Sequence, residues 1–305
     1  ATKPITDWAA YHDKLEAIQG PRKVFIRSAI NRVHENAKRL GGLPKIVFSE
    51  GTSSKVLKAI RMCVDEKLCQ PIILGYPDRV LEKAKQHQVD LTDIEIIHPA
   101  LHPKYHAYSE ELYKRRQRKG VNIKEAERLM ADPNYFAAMM IDQGDADGML
   151  NGATTNYADA VKPILHTVGV AKGSVPAGLN IVLADNRLLF FADTTVNFNP
   201  SAEQLAQIAV QTAQVAEYFG QKPRVAMLSY SNFSGEPGTP NKMKTAAELA
   251  KKLRPDLLVD GDMQADTAVS EEIQERIFPF TGLDGEANIL IFPNLESANN
   301  SYKLL

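Results

Sequence analysis

Residues 45–51 read KIVFSEG, a short run of apolar and β-branched residues that ends in a glycine-containing turn. After this turn, Val56, Leu57, Ile60 and Val64 recur at the spacing of one helix face. A buried strand, a tight turn and an amphipathic helix form the repeating unit of a parallel sheet, because parallel strands need a crossover connection. The stretch therefore predicts an α/β fold.

The same alternation of strand and helix patterns continues along the chain. Its best-marked helix begins with a capping box of Ser201 and Gln204 and ends at Gly220. We expect two lobes, 44–150 and 151–305, each a mostly parallel sheet with helices on both faces. The further strand patterns lie at 71–75, 93–99, 146–152, 188–200, 224–231, 257–262 and 288–294.

Residues 1–43 carry helical rather than strand patterns. Two narrow apolar seams are separated by Gly20-Pro21, which predicts a helical hairpin because proline interrupts a helix. This linker segment could pack on its own core, or it could dock on another subunit or on a preceding domain. The seams consist of Trp8, Tyr11, Leu15 and Ile18, and of Ile26, Ile30, Val33, Ala37 and Leu40.

The composition disfavours several classes of protein. Among 305 residues, 36 basic and 37 acidic side chains give a net charge of −1, whereas nucleic-acid-binding proteins normally carry a basic face. No apolar run approaches the ~20 residues of a membrane-spanning helix, and the first residues carry no secretory signal pattern. We therefore expect a cytoplasmic protein that binds neither nucleic acid nor membranes.

Motifs of several common enzyme classes are absent from the sequence. Cys63 and Cys69 do not have CxxC spacing, so we expect two buried or half-buried thiols in a reducing compartment. There is no GxGxxG, GxxxxGK[ST], HExxH or GxSxG motif and no cluster of cysteine and histidine. These absences disfavour dinucleotide, P-loop, metal-dependent and serine-hydrolase sites.

Four loops rich in small polar residues follow predicted strands, at 151–163, 193–200, 228–244 and 292–305. Open α/β sheets bind ligands beyond the carboxyl ends of their strands. Ordinary capping and turn formation would explain any one of these loops. Together they predict a cleft between the lobes that suits a phosphate-bearing ligand, since a strand-to-helix turn can hold an anion on its backbone N–H groups.

The sequence resembles the phosphotransacetylase family from KIVFSEG to its last residue. The opening PITDWAAYHDKL, the internal SYSNF and the final LESANNSYKLL are similar to the C-terminal phosphotransacetylase-like domain of multidomain malic enzymes. Further segments that carry the resemblance are DPNYFAAMMIDQGDADGMLNGATTNYADAVKPIL, FADTTVNFNPSAEQLAQIA, PRVAMLSYSN, PDLLVDGDMQAD and ANILIFPNLESANNSYKLL.

This resemblance implies a phosphotransacetylase or isocitrate dehydrogenase-like fold and acetyl-CoA as the ligand. The family moves an acetyl group between phosphate and coenzyme A. In the multidomain proteins, an N-terminal part converts malate to pyruvate and CO₂ with NADP and a divalent metal, and the C-terminal domain senses acetyl-CoA. The implied partners are acetyl-CoA, the malic enzyme domain of the same polypeptide and further copies of this domain, as a dimer within a larger assembly.

The resemblance also bears on catalysis. Active family members carry an arginine in the helix after the ADG turn, where this sequence has Lys162, and lysine lacks the bidentate fork of arginine. Their later Ser-Arg-Gly segment, followed by an aspartate, has no counterpart before Leu305. We therefore expect a regulatory acetyl-CoA-binding domain with no catalytic residue and no cofactor of its own. The alternatives are an active phosphate acetyltransferase and an oligomerisation domain with an unused cleft.

The expected ligand-binding residues come from the four polar loops and the helix that follows the first of them. Asparagine and serine can hydrogen-bond the pantetheine arm of acetyl-CoA, and lysine can neutralise its phosphates. The residues are Thr154, Thr155, Lys162, Asn197, Ser231, Asn232, Lys242 and Asn294.

Overall fold

The computed structural model describes residues 8–184 and 187–305, with side chains from residue 23 onward. The chain divides into two compact units. The first unit is Ser28–Gly169, and the second is Val170–Leu305 with the described N-terminal residues up to Arg27. The predicted boundary at 150/151 lies before the helix Tyr157–Thr167, which packs on the helix Pro133–Asp142 within the first unit.

Strands occur at most of the positions that the sequence predicts. Within the described residues they are β1 (Lys45–Phe48), β2 (Gln70–Leu74), β3 (Glu95–Ile97), β4 (Gly148–Leu150), β5 (Leu179–Ala184), β6 (Arg187–Ala192), β7 (Arg224–Leu228), β8 (Leu258–Met263) and β9 (Ile289–Ile291).

Helices alternate with these strands. They are α1 (Trp8–Leu40), α2 (Ser54–Asp65), α3 (Pro77–Gln86), α4 (Tyr105–Arg116), α5 (Ile123–Met130), α6 (Pro133–Asp142), α7 (Tyr157–Thr167), α8 (Ala202–Tyr218), α9 (Thr239–Leu253), α10 (Ala265–Ala268), α11 (Glu271–Ile277) and α12 (Leu295–Leu304).

The first unit is built on a parallel sheet with the strand order β3-β2-β1-β4. Successive side chains point to opposite sides of a strand, and in β1 both Val47 and Phe48 are buried, so this strand is covered on both faces. Val47 belongs to a core shared with α4, α5 and α6, whereas Phe48 packs in a second core with α2 and α3. Helix α6 is buried over most of its surface, and Phe136 and Met139 have no exposed area. This arrangement confirms the predicted sheet with helices on both faces.

The second unit has a mixed sheet with the order β5-β6-β9-β7-β8, in which β6, β9, β7 and β8 are parallel. Strand β5 pairs antiparallel with β6 and was not predicted. Its residues, LNIVLA, are rich in the apolar and β-branched types that strands favour, but no clear turn signal separates them from the strand pattern that follows. The capping box at Ser201 and Gln204 is present, and Gly220 follows α8 in the left-handed region, with a φ of 75°. Both features confirm the predicted helix ends.

The N-terminal helical region is confirmed, but the predicted hairpin is wrong. Helix α1 continues through Gly20-Pro21 as one element of 33 residues. An internal proline removes one backbone hydrogen bond and costs a helix about 3 kcal/mol, and the structure of the rest of the chain can override such a local preference. The side chains of the first seam, Trp8 to Ile18, lie outside the described residues. In the second seam, Ile26 and Leu40 are exposed, so the seam is only partly packed.

Two smaller observations bear on the predicted class of protein. Cys69 is buried and Cys63 is half-buried, both as free thiols, which confirms the predicted burial of the cysteines. Across residues 8–184 and 187–305, no helix combines the length and the apolar character that crossing a membrane requires.

Candidate functional site

In the first unit, the loops after β1 and β4 meet at the carboxyl edge of the sheet, because these two strands are neighbours. The hydroxyl of Ser49 donates to Asn134 Oδ1 at 2.6 Å, and Asn151 Nδ2 donates to the same oxygen at 3.2 Å. Asn151 Nδ2 also donates to the carbonyl of Ala160 at 3.0 Å. This polar network ties the end of β1 to α6 and to the first turns of α7.

Thr154 and Thr155 surround an anion, and that anion is the carboxylate of Glu50. The backbone N–H groups of Ala153, Thr154 and Thr155 donate to it at 2.7, 2.7 and 3.0 Å. The hydroxyls of Thr154 and Thr155 donate at 2.7 and 3.1 Å. The turn thus has the donor geometry predicted for an anion site, but its donors already serve a side chain of this protein.

Glu50 is held ionised by these contacts. Partial burial would raise the pKa of its carboxyl group, but the hydrogen bonds from Thr154, Ala153 and Thr155 outweigh burial and lower the pKa. The contacts therefore contribute stability that is present above the ordinary pKa of 4.5 and is lost as the pH falls through the lower pKa of the folded chain.

Lys162 lies on α7 in a group of basic side chains that we call the basic cluster: Arg116, Lys119, Lys162 and His166. His166 Nδ1 and the hydroxyl of Tyr135 lie 2.8 Å apart. Burial lowers the pKa of His166, and the charges of Arg116, Lys162 and Lys119 lower it further. Arg115 Nη1 donates to the carbonyl of Thr167 at 2.9 Å, so the end of α4, where Arg116 lies, is held against α7, which carries Lys162 and His166.

Arg116, Lys119 and His166 are members of the basic cluster that the sequence patterns did not predict, and Arg116 is the most informative of them. Its Nε is buried and has no hydrogen-bond partner among the described residues. The charges near the cluster include Glu125, whose carboxylate forms its main pair with Arg128 at 2.6 Å and interacts more weakly with Lys162. A buried guanidinium N–H without a partner is costly, so this site is suited to an acceptor from outside the chain. The only sequence signal was the basic run KRRQRKG at 114–120.

The basic cluster has a measurable consequence for His166. We expect it to titrate below its ordinary pKa of 6.5, because burial and the neighbouring cations both disfavour the imidazolium. Since the folded pKa is the lower one, this residue stabilises the fold above pH 6.5, and the stabilisation is lost as the pH falls towards the folded pKa. NMR titration of the ring protons measures the pKa, and Arg116→Ala should move it upward. A value at or above 6.5 in the unmodified chain would contradict this description of the cluster.

In the second unit, the loop after β6 is organised by Asp193, which is 2% exposed. Its carboxylate accepts from the backbone N–H groups of Gly178, Thr195, Val196 and Asn197 at 2.8, 2.9, 3.0 and 2.7 Å. The side-chain amide of Asn197 also donates to this carboxylate at 2.5 Å. The predicted ligand residue Asn197 is therefore part of a loop built around a buried acid.

Ser231 and Asn232 hold the loop after β7 on the end of β8. The hydroxyl of Ser231 donates to Asp262 Oδ2 at 2.7 Å, and Asp262 has no exposed area. Asn232 Nδ2 donates to Gln264 Oε1 at 2.9 Å, and the backbone N–H of Gln264 donates back to Asn232 Oδ1 at 2.8 Å. These bonds fix the shape of the loop.

Lys242 connects the loops that follow β6 and β9. Its Nζ donates to Asn199 Oδ1 at 2.9 Å and to the carbonyl of Pro293 at 2.7 Å. Burial lowers the pKa of Lys242. The neighbouring Asn294 caps α12 by accepting from the backbone N–H of Ser297 at 2.9 Å.

The predicted site residues thus fall into two sets. Thr154, Thr155 and Lys162 belong to the first unit, and the other five lie at the carboxyl ends of β6, β7 and β9 or on α9 in the second unit. Within the described residues, seven of the eight make side-chain hydrogen bonds to other groups of the protein, and Lys162 is the exception. Their contact with a ligand stays a prediction. Within the described ranges, no three His, Cys, Asp or Glu side chains come together in a way that could hold a metal ion.

Comparison with known proteins identifies the relatives of the chain. The NADP-dependent malic enzyme of Escherichia coli (strain K12) is 34% identical over 100% of this chain and 40% of its own length. The phosphate acetyltransferase of Thermoanaerobacterium thermosaccharolyticum is 36% identical over 92% of this chain and 86% of its own length. The solved structure of the EutD phosphotransacetylase from Staphylococcus aureus matches with a TM-score of 0.80 and 29% identity, over 90% of this chain and 84% of that one.

The chain spans only 39% and 40% of the length of two malic enzymes that it matches. A family model described as phosphate acetyl/butaryl transferase covers residues 28–305, which is nearly all of the described chain. The resemblance that the sequence motifs indicated is confirmed, and the chain belongs to the phosphate acetyl/butaryl transferase family.

Proposed function

We propose that this chain is an acetyl-CoA-binding regulatory domain of a malic enzyme and does not itself transfer acetyl groups. The observation that carries the proposal is the basic cluster, in which the buried Nε of Arg116 has no hydrogen-bond partner among the described residues. The multidomain setting is supported by the E. coli malic enzyme, in which a segment of 40% of its length aligns with 100% of this chain. NADP and a divalent metal would then serve the malic enzyme part, and further copies of the domain would assemble with it in the cytoplasm.

The basic cluster suits the phosphates of coenzyme A. Arginine presents planar N–H groups that match phosphate oxygens, and lysine adds a point charge. Charge-assisted hydrogen bonds of this kind contribute about 1.5–3 kcal/mol each. Lys162 cannot donate two parallel N–H bonds to one phosphate as an arginine would. The cluster is therefore better suited to retaining a ligand than to orienting a transferred group in the transition state.

Regulation requires that acetyl-CoA bind two states of the malic enzyme with different affinity. A coupling of about 1–3 kcal/mol between two sites changes an affinity by about 5- to 150-fold. The domain would supply this coupling through its attachment to the catalytic part. Inhibition of malate turnover by acetyl-CoA in the full polypeptide is the corresponding readout.

A second candidate function is phosphate acetyltransfer, in which acetyl-CoA and phosphate give acetyl phosphate and CoA. The observation that favours it is the match to 86% of the Thermoanaerobacterium phosphate acetyltransferase at 36% identity. In that case the same cluster would hold the phosphates of a substrate rather than of an effector.

Calorimetry with acetyl-CoA, combined with an assay of acetyl phosphate and CoA on the same sample, separates these candidates. We expect saturable binding without turnover. Turnover would replace the regulatory proposal with the transferase one. Absence of heat at millimolar acetyl-CoA, with the chain shown to be folded by circular dichroism, would contradict both and favour an oligomerisation domain.

A further inference from the structure

The turn at Ala153–Thr155 is a complete anion site whose occupant belongs to the chain. Three consecutive N–H groups and two hydroxyls converge on the carboxylate of Glu50 at distances from 2.7 to 3.1 Å. Successive backbone N–H groups in a turn form concavities that bind anions. Glu50 follows β1 in the sequence, whereas its donors follow β4 about a hundred residues later, so the contact joins two distant segments.

Glu50 itself is held in place by the strand before it and the glycine after it. A Cβ atom on Gly51 would lie 2.5 Å from Ile73 Cγ2 and 2.6 Å from the carbonyl oxygen of Leu74, so the chain passes close to β2 at this point. On the other side, Ser49 is buried and bonded to Asn134. The carboxylate therefore extends from a closely packed part of the sheet.

The donors, in contrast, belong to the segment that leads into α7. Asn156 caps this helix, and Pro163 lies inside it. Proline has no backbone N–H, so the first turns of α7 have one hydrogen bond fewer than a regular helix. The hydrogen bonds between Glu50 and Ala153–Thr155 are consequently more important for the position of α7 than they would be for an uninterrupted helix.

We propose that Glu50 is a positioning residue that fixes the start of α7, and thereby places Lys162 and His166 beside Arg116. Its carboxylate acts through the turn and does not contact the ligand. The inference rests on the proposed function only where it concerns acetyl-CoA, because the position of α7 can be measured without any ligand.

The test compares Glu50→Ala with Glu82→Ala, an exposed glutamate on α3 whose side chain accepts from Gln86. We expect Glu50→Ala to weaken acetyl-CoA binding about tenfold and to shift the NMR-measured pKa of His166 towards 6.5. Added sodium acetate should restore both values, because a free carboxylate can occupy the emptied turn, whereas sodium chloride at equal ionic strength should not. Glu82→Ala should change neither value.

A second variant keeps the test decisive if Glu50→Ala does not fold. Thr154→Val with Thr155→Val removes both hydroxyls but leaves the three N–H donors, and it should give a smaller shift of His166 in the same direction. An unchanged His166 titration in the folded variants, or an altered one that acetate does not restore, would overturn the positioning role. If the unmodified chain binds no acetyl-CoA, the proposed function fails, while the His166 shift and its rescue still support the role of Glu50.

Discussion

Asp193→Ala should destabilise the second unit by about 3–5 kcal/mol. The substitution removes one buried carboxylate and leaves the N–H groups of Gly178, Thr195, Val196 and Asn197 without their acceptor. Each buried donor without a partner costs about 1–3 kcal/mol, and rearrangement of the loop recovers part of the sum. Urea denaturation followed by circular dichroism measures the loss as a shift of the midpoint with an unchanged slope.

Glu272→Ala is the matched control for this prediction. Its side chain is 81% exposed and pairs with Arg276 at 3.4 Å one turn away on α11. Exposed pairs of this kind are worth about 0.3–0.5 kcal/mol, so the control should unfold almost like the unmodified chain. If Asp193→Ala proved no less stable than the control, the loop amides would have to find other acceptors.

Arg116→Ala should weaken acetyl-CoA binding by about ten- to hundredfold, because it removes a charge-assisted contact worth about 1.5–3 kcal/mol. Lys162→Ala should have an effect in the same direction. Lys162→Arg should preserve or improve the affinity, since a guanidinium keeps the charge and adds a fork for phosphate oxygens. Calorimetry at constant ionic strength measures all three variants.

Lys58→Ala serves as the control for these charge changes. Lys58 is exposed on α2 in the same unit and carries the same charge, so its removal tests whether net charge alone affects binding. We expect an affinity within a factor of about two of the unmodified chain, since a lone surface charge is largely screened. Equal losses for Lys58→Ala and Arg116→Ala would contradict a local phosphate site.

The sequence predicted those parts of the fold that depend on local patterns. Strand β1, the capping box at Ser201 and the end of α8 at Gly220 each depend on residues that are close together in the sequence. The missed strand β5 has the composition of a strand but is recognised only with its hairpin partner. The Gly20-Pro21 pair is a local signal for a helix break, and the continuity of α1 shows that this signal alone does not determine where a helix ends.

The candidate site was less predictable because its contacts are distant in sequence. The turn at Thr154 and Thr155 was identified as an anion site, yet nothing in the sequence indicated that Glu50 would occupy it. Arg116 lies in a run of charged residues, where exposed and partly buried positions look alike until the helix is packed. Burial and contacts between distant residues therefore determine which polar side chains remain available to bind a ligand.

The near-complete burial of α6 makes the first unit cooperative. A helix that contacts its neighbours on most sides cannot separate from one of them without disturbing the others, because a packed interior has no spare volume. Elements around such a centre open together, in the manner of a single cooperative folding unit. A destabilising substitution near the surface of this unit should therefore lower the free energy of unfolding of the whole unit, including α4 and α7, which carry the basic cluster.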